Sequence, residues 1–464
     1  MARKSHLLIF CFTILFSSIF PICHSSYFLK EHEIRSQNKY YSPSNDIEES
    51  YNDDLDPQEL ANYDKVIIER IKNSHQAQSK ALISSLSSSK IVNVEHFVRS
   101  RKIKDDTKAF NEAWKEVCSM KNGGVFLVPR NKRYIVKPIN FTGPCHSRLI
   151  TIKIEGTIEA SSNMSDYYDR YHWLLFQNLR NFKVEGKGTI DGRGQIWWQN
   201  SCKVNKTKPC LHAPTALIFL ECKNFIVDGI HIRNPQQMHI SFQYSSDVRA
   251  SNLFLKAPGN SPNTDGFNIN ATRNIHVTKS SVSTGDDCVS IVNESKDVHV
   301  SDLICGPGHG ISIGSLGKNH SKPDHVSNVL INHAKISGTT NGARIKTWQG
   351  GRGYAKKIVF QNIELHNVSN PIIIDQYYCD QKTPCPEQKE AVRVSNIVYK
   401  NIRGTSFTEP AINFNCSETH HCRSILMQNI NILKEEVKEP ATADCENIEI
   451  FYRSMVSPKC FQAS

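Results

Sequence analysis

Long apolar runs are almost missing from this chain of 464 residues. Only one approaches membrane length, Leu7 to Ile22, and it is shorter than the ~20 residues a spanning helix needs. A polytopic membrane protein is therefore excluded. Glycine is scarce at 23 residues and has no three-residue period, so a collagen-like chain is excluded too. With 39% hydrophobic residues, the chain is not wholly disordered. Helical periodicity nearly disappears after Cys118. The Leu/Asn template of a leucine-rich repeat is absent, and so is the period of about 40 residues that a propeller blade needs.

What is present first concerns compartment. Arg3 and Lys4 precede the apolar run, and Cys23-His24-Ser25 follow it. A basic start, an apolar core and small residues at its end predict a cleaved secretory signal over 1–25. Two of the 15 cysteines, Cys11 and Cys23, fall in it, and the other 13 suit disulfides with one thiol left over. Eight N-x-Ser/Thr sequons, at Asn140, Asn163, Asn205, Asn270, Asn293, Asn319, Asn367 and Asn415, fit a glycosylated, secreted surface.

Residues 26–90 are rich in Ser, Asn, Asp and Glu and show no sustained strand pattern. They read as a low-complexity acidic leader or prosegment with one helix over Asp56 to Ile71. Eight Lys or Arg stand there against eleven Asp or Glu, a charge of −3. The whole chain carries +11 and the signal +2, so residues 91–464 carry +12. Such a body suits a polyanionic partner. Two readings are open for the leader: a mask held by charge across a cationic cleft, or a solvated tail or folding aid.

The body repeats. Segments starting at Asn224, Asp247, Asn274, Asp297, Asn328, Lys357 and Asn396 each open on a polar residue, most often Asn or Asp. Alternating apolar residues, a polar break and a second apolar stretch follow. Further copies start at Asn181 and Ser424. Alternation says strand, and repeat starts 23 to 39 residues apart predict an all-β fold, a parallel β-helix of about ten coils. An amphipathic helix, Asp106 to Cys118, is expected to cap the N-terminal coil, whose edge is otherwise exposed.

Polar clusters interrupt the repeat. Asp265, Asp287 and His309 are separated by equal steps of 22 residues, so they should stack at one angular position in successive coils. Arg344 and Lys346, two apart on a strand, should face one side. Singly, each cluster is an ordinary turn or strand face. Together, stacked carboxylates raise one another's proton affinity, which favours one protonated and one ionised carboxyl. General acid–base hydrolysis of a glycoside uses such a pair.

Four segments carry a resemblance: SPNTDGFNI from Ser261, STGDDCVSI from Ser283, CGPGHGISIGSLG from Cys305 and NGARIKTWQGG from Asn341. They resemble, in order, the signature segments of the polygalacturonases, glycoside hydrolase family 28, and most closely those of plants. The resemblance runs from about Asp105 to Cys460. It implies a right-handed β-helix and inverting hydrolysis of α-1,4-galacturonosyl bonds without metal or cofactor. It also implies roles: Asp286 as general acid, Asp265 and Asp287 as holders of the attacking water, and His309 as a tuner of the acid. Arg344, Lys346, Asn263 and Tyr378 become substrate contacts. The implied partner is an acidic wall polysaccharide, met by a secreted monomer that binds neither nucleic acid nor, after signal cleavage, membrane. One departure stands out. Where plant members have a glycine-rich segment before Asp-Asp-Thr, this chain has bulky and basic residues over 98–104. A pectate lyase and a non-catalytic pectin-binding protein remain the alternatives.

Local cysteine spacing suggests the pairs Cys118–Cys145, Cys202–Cys210, Cys288–Cys305, Cys379–Cys385, Cys416–Cys422 and Cys445–Cys460. Cys222 is left over as a small apolar residue.

Overall fold

A computed structural model describes residues 55–82, 90–99, 105–146, 149–381 and 383–461, with side chains in the first helix described only as far as Glu69. The expected signal, with Cys11 and Cys23, lies outside the described residues.

Two parallel sheets wind along the body. One has eleven strands and is called the cleft sheet; the other, with 18 strands, is the wide sheet. The eleven strands number the coils, close to the ten expected from the repeat. Inside the cleft sheet, Phe176, Phe219 and Phe242 stack at 5.3 and 5.4 Å between centroids. The ladder continues through Ile269, Ile291, Ile313, Ile345 and Ile374 to Phe414, in register and buried. One apolar residue per coil, pointing inward every second position, is what the alternation encoded.

The polar residue opening each repeat is the bend into the wide sheet. Asn224, Asp247, Asn274, Asp297, Asn328, Lys357 and Asn396 all have φ between 52° and 59°, as do Asn181 (53°) and Ser424 (52°). Asn and Asp tolerate this left-handed conformation better than other non-glycine residues. They also bond upward through the stack. Asn224 donates to Asn181 at 2.7 Å, Asn274 to Asp247 at 2.8 Å and Asn328 to Asp297 at 3.0 Å.

The cap helix (α2) runs Thr107–Ser119, one residue later than expected at either end. Phe110, Ala113, Trp114 and Val117 are buried and plug the first coils, with Phe110 edge-on to Phe126 and Tyr134. Asp106 exchanges hydrogen bonds with Ile135: its N–H donates to the Ile135 carbonyl, and its carboxylate accepts from the Ile135 N–H. The cap is thus seated from both directions. Of the unusual segment before it, residues 100–104 lie outside the described residues.

The leader does contain a helix (α1), Pro57–Leu82, longer than expected. Asp56 caps it by accepting from the N–H groups of Gln58 and Glu59. Leu60, Ala61, Tyr63 and Ile67 form one buried stripe. It covers an outward-facing ladder on the wide sheet: Leu330, Val359, Val398 and Leu426, neighbours in register. Polar contacts fix the docking. Tyr63 donates to Asn328 at 2.7 Å, the Leu55 N–H donates to Asn396 at 2.9 Å, and Lys400 pairs with Asp64 at 2.8 Å. Through these described side chains the leader's helix docks on the wide sheet, neither a solvated tail nor a mask across the cationic cleft. Shape and apolar burial, which the charge count could not show, decided its place.

All six cysteine pairs suggested by spacing are formed. Cys222 is free and buried, and burial pushes its thiol up to about 12, so it packs as an unreactive group.

Candidate active site

Six neighbouring strands of the cleft sheet build the site: β1 (Ile240–Gln243), β2 (Phe267–Asn270), β3 (Val289–Ile291), β4 (Ile311–Leu316), β5 (Asn341–Trp348) and β6 (Asn370–Tyr378). Phe267 pairs with Val289 and Val289 with Ile311. Asp265, Asp287 and His309, each two residues earlier, therefore stack at one edge, as their spacing predicted. Arg344 pairs with Ser312 one strand on, and Arg344 and Lys346 both reach Asp287.

The glycines around His309 are required. Gly310 has φ +83°, and a Cβ there would lie 2.0 Å from the Asn341 carbonyl oxygen; at Gly308 (φ +152°) it would lie 2.8 Å from that of Asp286. The backbone packs this closely only without side chains. His309 is thereby held with Nδ1 3.1 Å from Asp286 Oδ1, while its N–H donates to the Asp286 carbonyl. The Cys288–Cys305 bridge ties the strand after the Asp286-Asp287 turn to the segment leading into His309.

The three carboxylates have different surroundings. Asp286 keeps 21% of its side chain exposed, and one of its oxygens accepts from the Asp287 N–H. Asp287 is buried. One oxygen accepts from Arg344 at 2.6 Å and Ser312 at 2.8 Å, the other from Lys346 at 3.0 Å. Burial opposes its charge, but Lys346 and Arg344 outweigh it and hold the carboxyl below the usual range. Asp265 is buried without such a pair. Burial, then the charges of Asp286 and Asp287, raise it well above the usual range, against a bond from Ser290 at 2.8 Å and the charge of Lys346. One easily protonated carboxyl therefore sits beside one held ionised, as the stacking argument required, and the split falls between Asp265 and Asp287.

Asn263 stands two residues before Asp265 in a left-handed turn. Tyr378 ends β6, its ring 5.3 Å from the Lys346 ammonium and edge-on to Trp348. In the free protein the two cations thus meet Asp287 and Tyr378, not only open space for a substrate carboxylate.

Sequence reasoning missed Ser290, Ser312 and the chain behind Ser290. Gln243 donates to Ser241, Ser241 to Asn268, Asn268 to Ser290 and Ser290 to Asp265, each at 2.8 to 3.0 Å. Ser241, Asn268, Ser290, Ser312 and Arg344 are successive register partners along the sheet. A signal existed: Ser290 lies 25 residues after Asp265, and Ser312 the same distance after Asp287.

Oxygens of Asp286 and Asp287 and a His309 nitrogen lie within 4.8 Å of one another, a grouping able to hold a cation. Here Asp287 already carries two side-chain cations, which repel a divalent ion at that spot.

Comparison with known proteins agrees. The sequence profile described as glycosyl hydrolases family 28 matches residues 118–459. The chain is 45% identical to the polygalacturonase QRT2 of Arabidopsis thaliana over 451 residues, 97% of this chain and 98% of that protein. It is 54% identical to a polygalacturonase of Persea americana over 346 residues, 74% of each. An exopolygalacturonase structure from Thermotoga maritima superposes with a TM-score of 0.68 at 19% identity, over 84% of this chain and 96% of that one, and so shares the right-handed β-helix fold. A stacked Asp-Asp-His face braced by Arg344 and Lys346, on a chain this similar, places the protein in family 28 of the glycoside hydrolases, among the pectin-degrading polygalacturonases.

Proposed function

We propose that the protein cleaves α-1,4-galacturonosyl bonds of de-esterified pectin with inversion, outside the cell, as a secreted monomer. The observation that carries the mechanism is the unequal treatment of the three carboxylates. Asp286, partly open and beside His309, delivers its proton to the leaving oxygen as the anomeric C–O bond breaks. Asp287, kept ionised by Arg344 and Lys346, holds a water on the opposite face. That water attacks the anomeric carbon and gives its proton to Asp265, whose raised proton affinity makes it the better acceptor. Solvent then reprotonates Asp286 and Asp265 releases its proton. Inverting enzymes leave ~6.5–9.5 Å between acid and base for the water. Asp286 and Asp265 stand on turns of successive coils, ~4.8 Å apart at the backbone, and the mechanism requires their carboxyls to open to that wider spacing.

The +12 of residues 91–464 draws in a polyanionic chain. Arg344 and Lys346 retain hydrogens beyond those given to Asp287, and these receive a substrate carboxylate. Purified protein incubated with polygalacturonate, with reducing ends counted and products resolved by size, tests the reading. Saturated oligogalacturonides support it. Unsaturated products point to a lyase, and binding without new reducing ends to a wall-binding protein.

A pH prediction follows. Asp265 must be ionised to accept the proton, so activity should fall as pH drops through its raised pKa. Ser290→Ala removes a bond that favours the ionised form. The acidic limb of kcat/KM is expected to move to higher pH, with the alkaline limb in place. An unmoved acidic limb sets aside Asp265 as the base.

A further inference from the structure

Two long connections leave opposite edges of the cleft sheet and meet. The first, residues 192–214, precedes the strand Thr215–Leu220, holds a short helix (α3, Gln195–Gln199), and is stapled by Cys202–Cys210. The second, residues 379–381 and 383–390, follows β6 and is stapled by Cys379–Cys385. Lys203, next to the first staple, pairs with Asp380, next to the second, at 2.5 Å.

The sheet order gives this pair its meaning. Between Thr215–Leu220 and β6 lie β1 to β5. At ~4.8 Å per strand the bases of the two arms are about 29 Å apart along the stack. One arm starts on the edge that bears Asp265, Asp287 and His309, the other on the edge that bears Tyr378. Behind the sheet is the filled core. A contact between these arms therefore crosses the outer face, diagonally above the catalytic strands. A cavity of about 690 Å³ lies between Arg193, Trp198 and Val204 of the first arm and the turns at Asn234 and Asn260.

We propose that the two arms form a roof over the cleft, closed by the Lys203–Asp380 pair, and that a galacturonan chain is kept beneath it between successive cuts. The proposal rests on the hydrolase reading above. The disulfides keep each arm in shape, so closure is set at the tip. Both side chains there are about half exposed, and such a pair shifts an equilibrium by about fivefold at most. That is weak enough to open for a polymer and strong enough to delay its escape. Lys203, Lys206 and Lys208 belong to the first arm and Arg193 lines its cavity, so the arm carries the charge a polyanion requires.

The test compares viscosity loss with reducing ends released from long polygalacturonate. A chain cut repeatedly before release loses little viscosity per bond; scattered cuts lose much. Lys203→Glu and Asp380→Lys are each expected to raise viscosity loss per reducing end about two- to fivefold. The double charge swap should restore the parental ratio. Hydrolysis of a short oligogalacturonide monitors folding, and Lys203→Ala serves if a charge reversal fails that check. An unchanged ratio in the single variants, or a double swap that does not restore it, overturns the roof. A parent that releases no reducing ends overturns the hydrolase reading instead.

Discussion

Asp286→Asn is expected to lower kcat on polygalacturonate by about 10²–10⁴-fold, the usual contribution of a positioned acid. An amide has nearly the same shape and keeps a hydrogen-bonding oxygen for His309 and the Asp287 N–H, so the site should stay assembled. It has no proton to give the leaving oxygen. Binding of an oligogalacturonide, read by calorimetry, should persist, since Arg344, Lys346 and Asn263 are untouched. A residual rate within tenfold of the parent would move the acid role elsewhere, and Asp265, which holds a proton most readily, would be the first candidate. A leaving group that needs no protonation should recover much of the lost rate in Asp286→Asn and little in Asp265→Asn. That comparison separates acid from base.

The second large effect concerns the helix of the leader. Leu60→Asp puts a carboxylate where the side chain is fully buried against the Leu330, Val359, Val398 and Leu426 ladder. Burying it unpaired costs about 3 kcal/mol or more. The helix has one stripe of contacts, while the coils beneath share continuous ladders, so undocking is the cheaper response. The expected result is a body that still melts cooperatively, an α1 newly open to protease, and an exposed apolar strip that binds a hydrophobic dye. Hydrolysis of a short oligogalacturonide should continue, because the cleft is on the other sheet. A rise in its rate at low salt, fading as salt screens the charges, would instead favour a leader that masks the cleft. Asp64→Ala should act in the same direction by leaving Lys400 without its partner.

The coil and its polar stack were legible because a solenoid turns sequence distance into spatial position. Once each repeat returns to the same angle, equal steps from Asp265 to Asp287 to His309 are a vertical line. The repeat-opening Asn and Asp residues were visible for the same reason, though their left-handed φ was not. Cysteine spacing gave all six bridges because every loop they close is short. These are local or periodic quantities, and the chain alone determined them.

The tertiary structure decided what depends on contacts between distant segments. Three carboxylates look alike in a sequence. The proton affinities of Asp265 and Asp287 diverge because Arg344 and Lys346 bond Asp287 and not Asp265, which burial and the neighbouring aspartates push up. The leader read as an acidic tail because charge can be counted, whereas the stripe of Leu60, Tyr63 and Ile67 has meaning only beside its ladder. Lys203 and Asp380, 177 residues apart, belong to no repeat, so no spacing could bring them together. The sequence alone thus determined the coils and the stacked polar face. Folding set Asp265 and Asp287 apart in proton affinity, docked the leader, and brought the two arms together over the cleft, because desolvation and cross-chain ion pairing exist only once the coils are stacked.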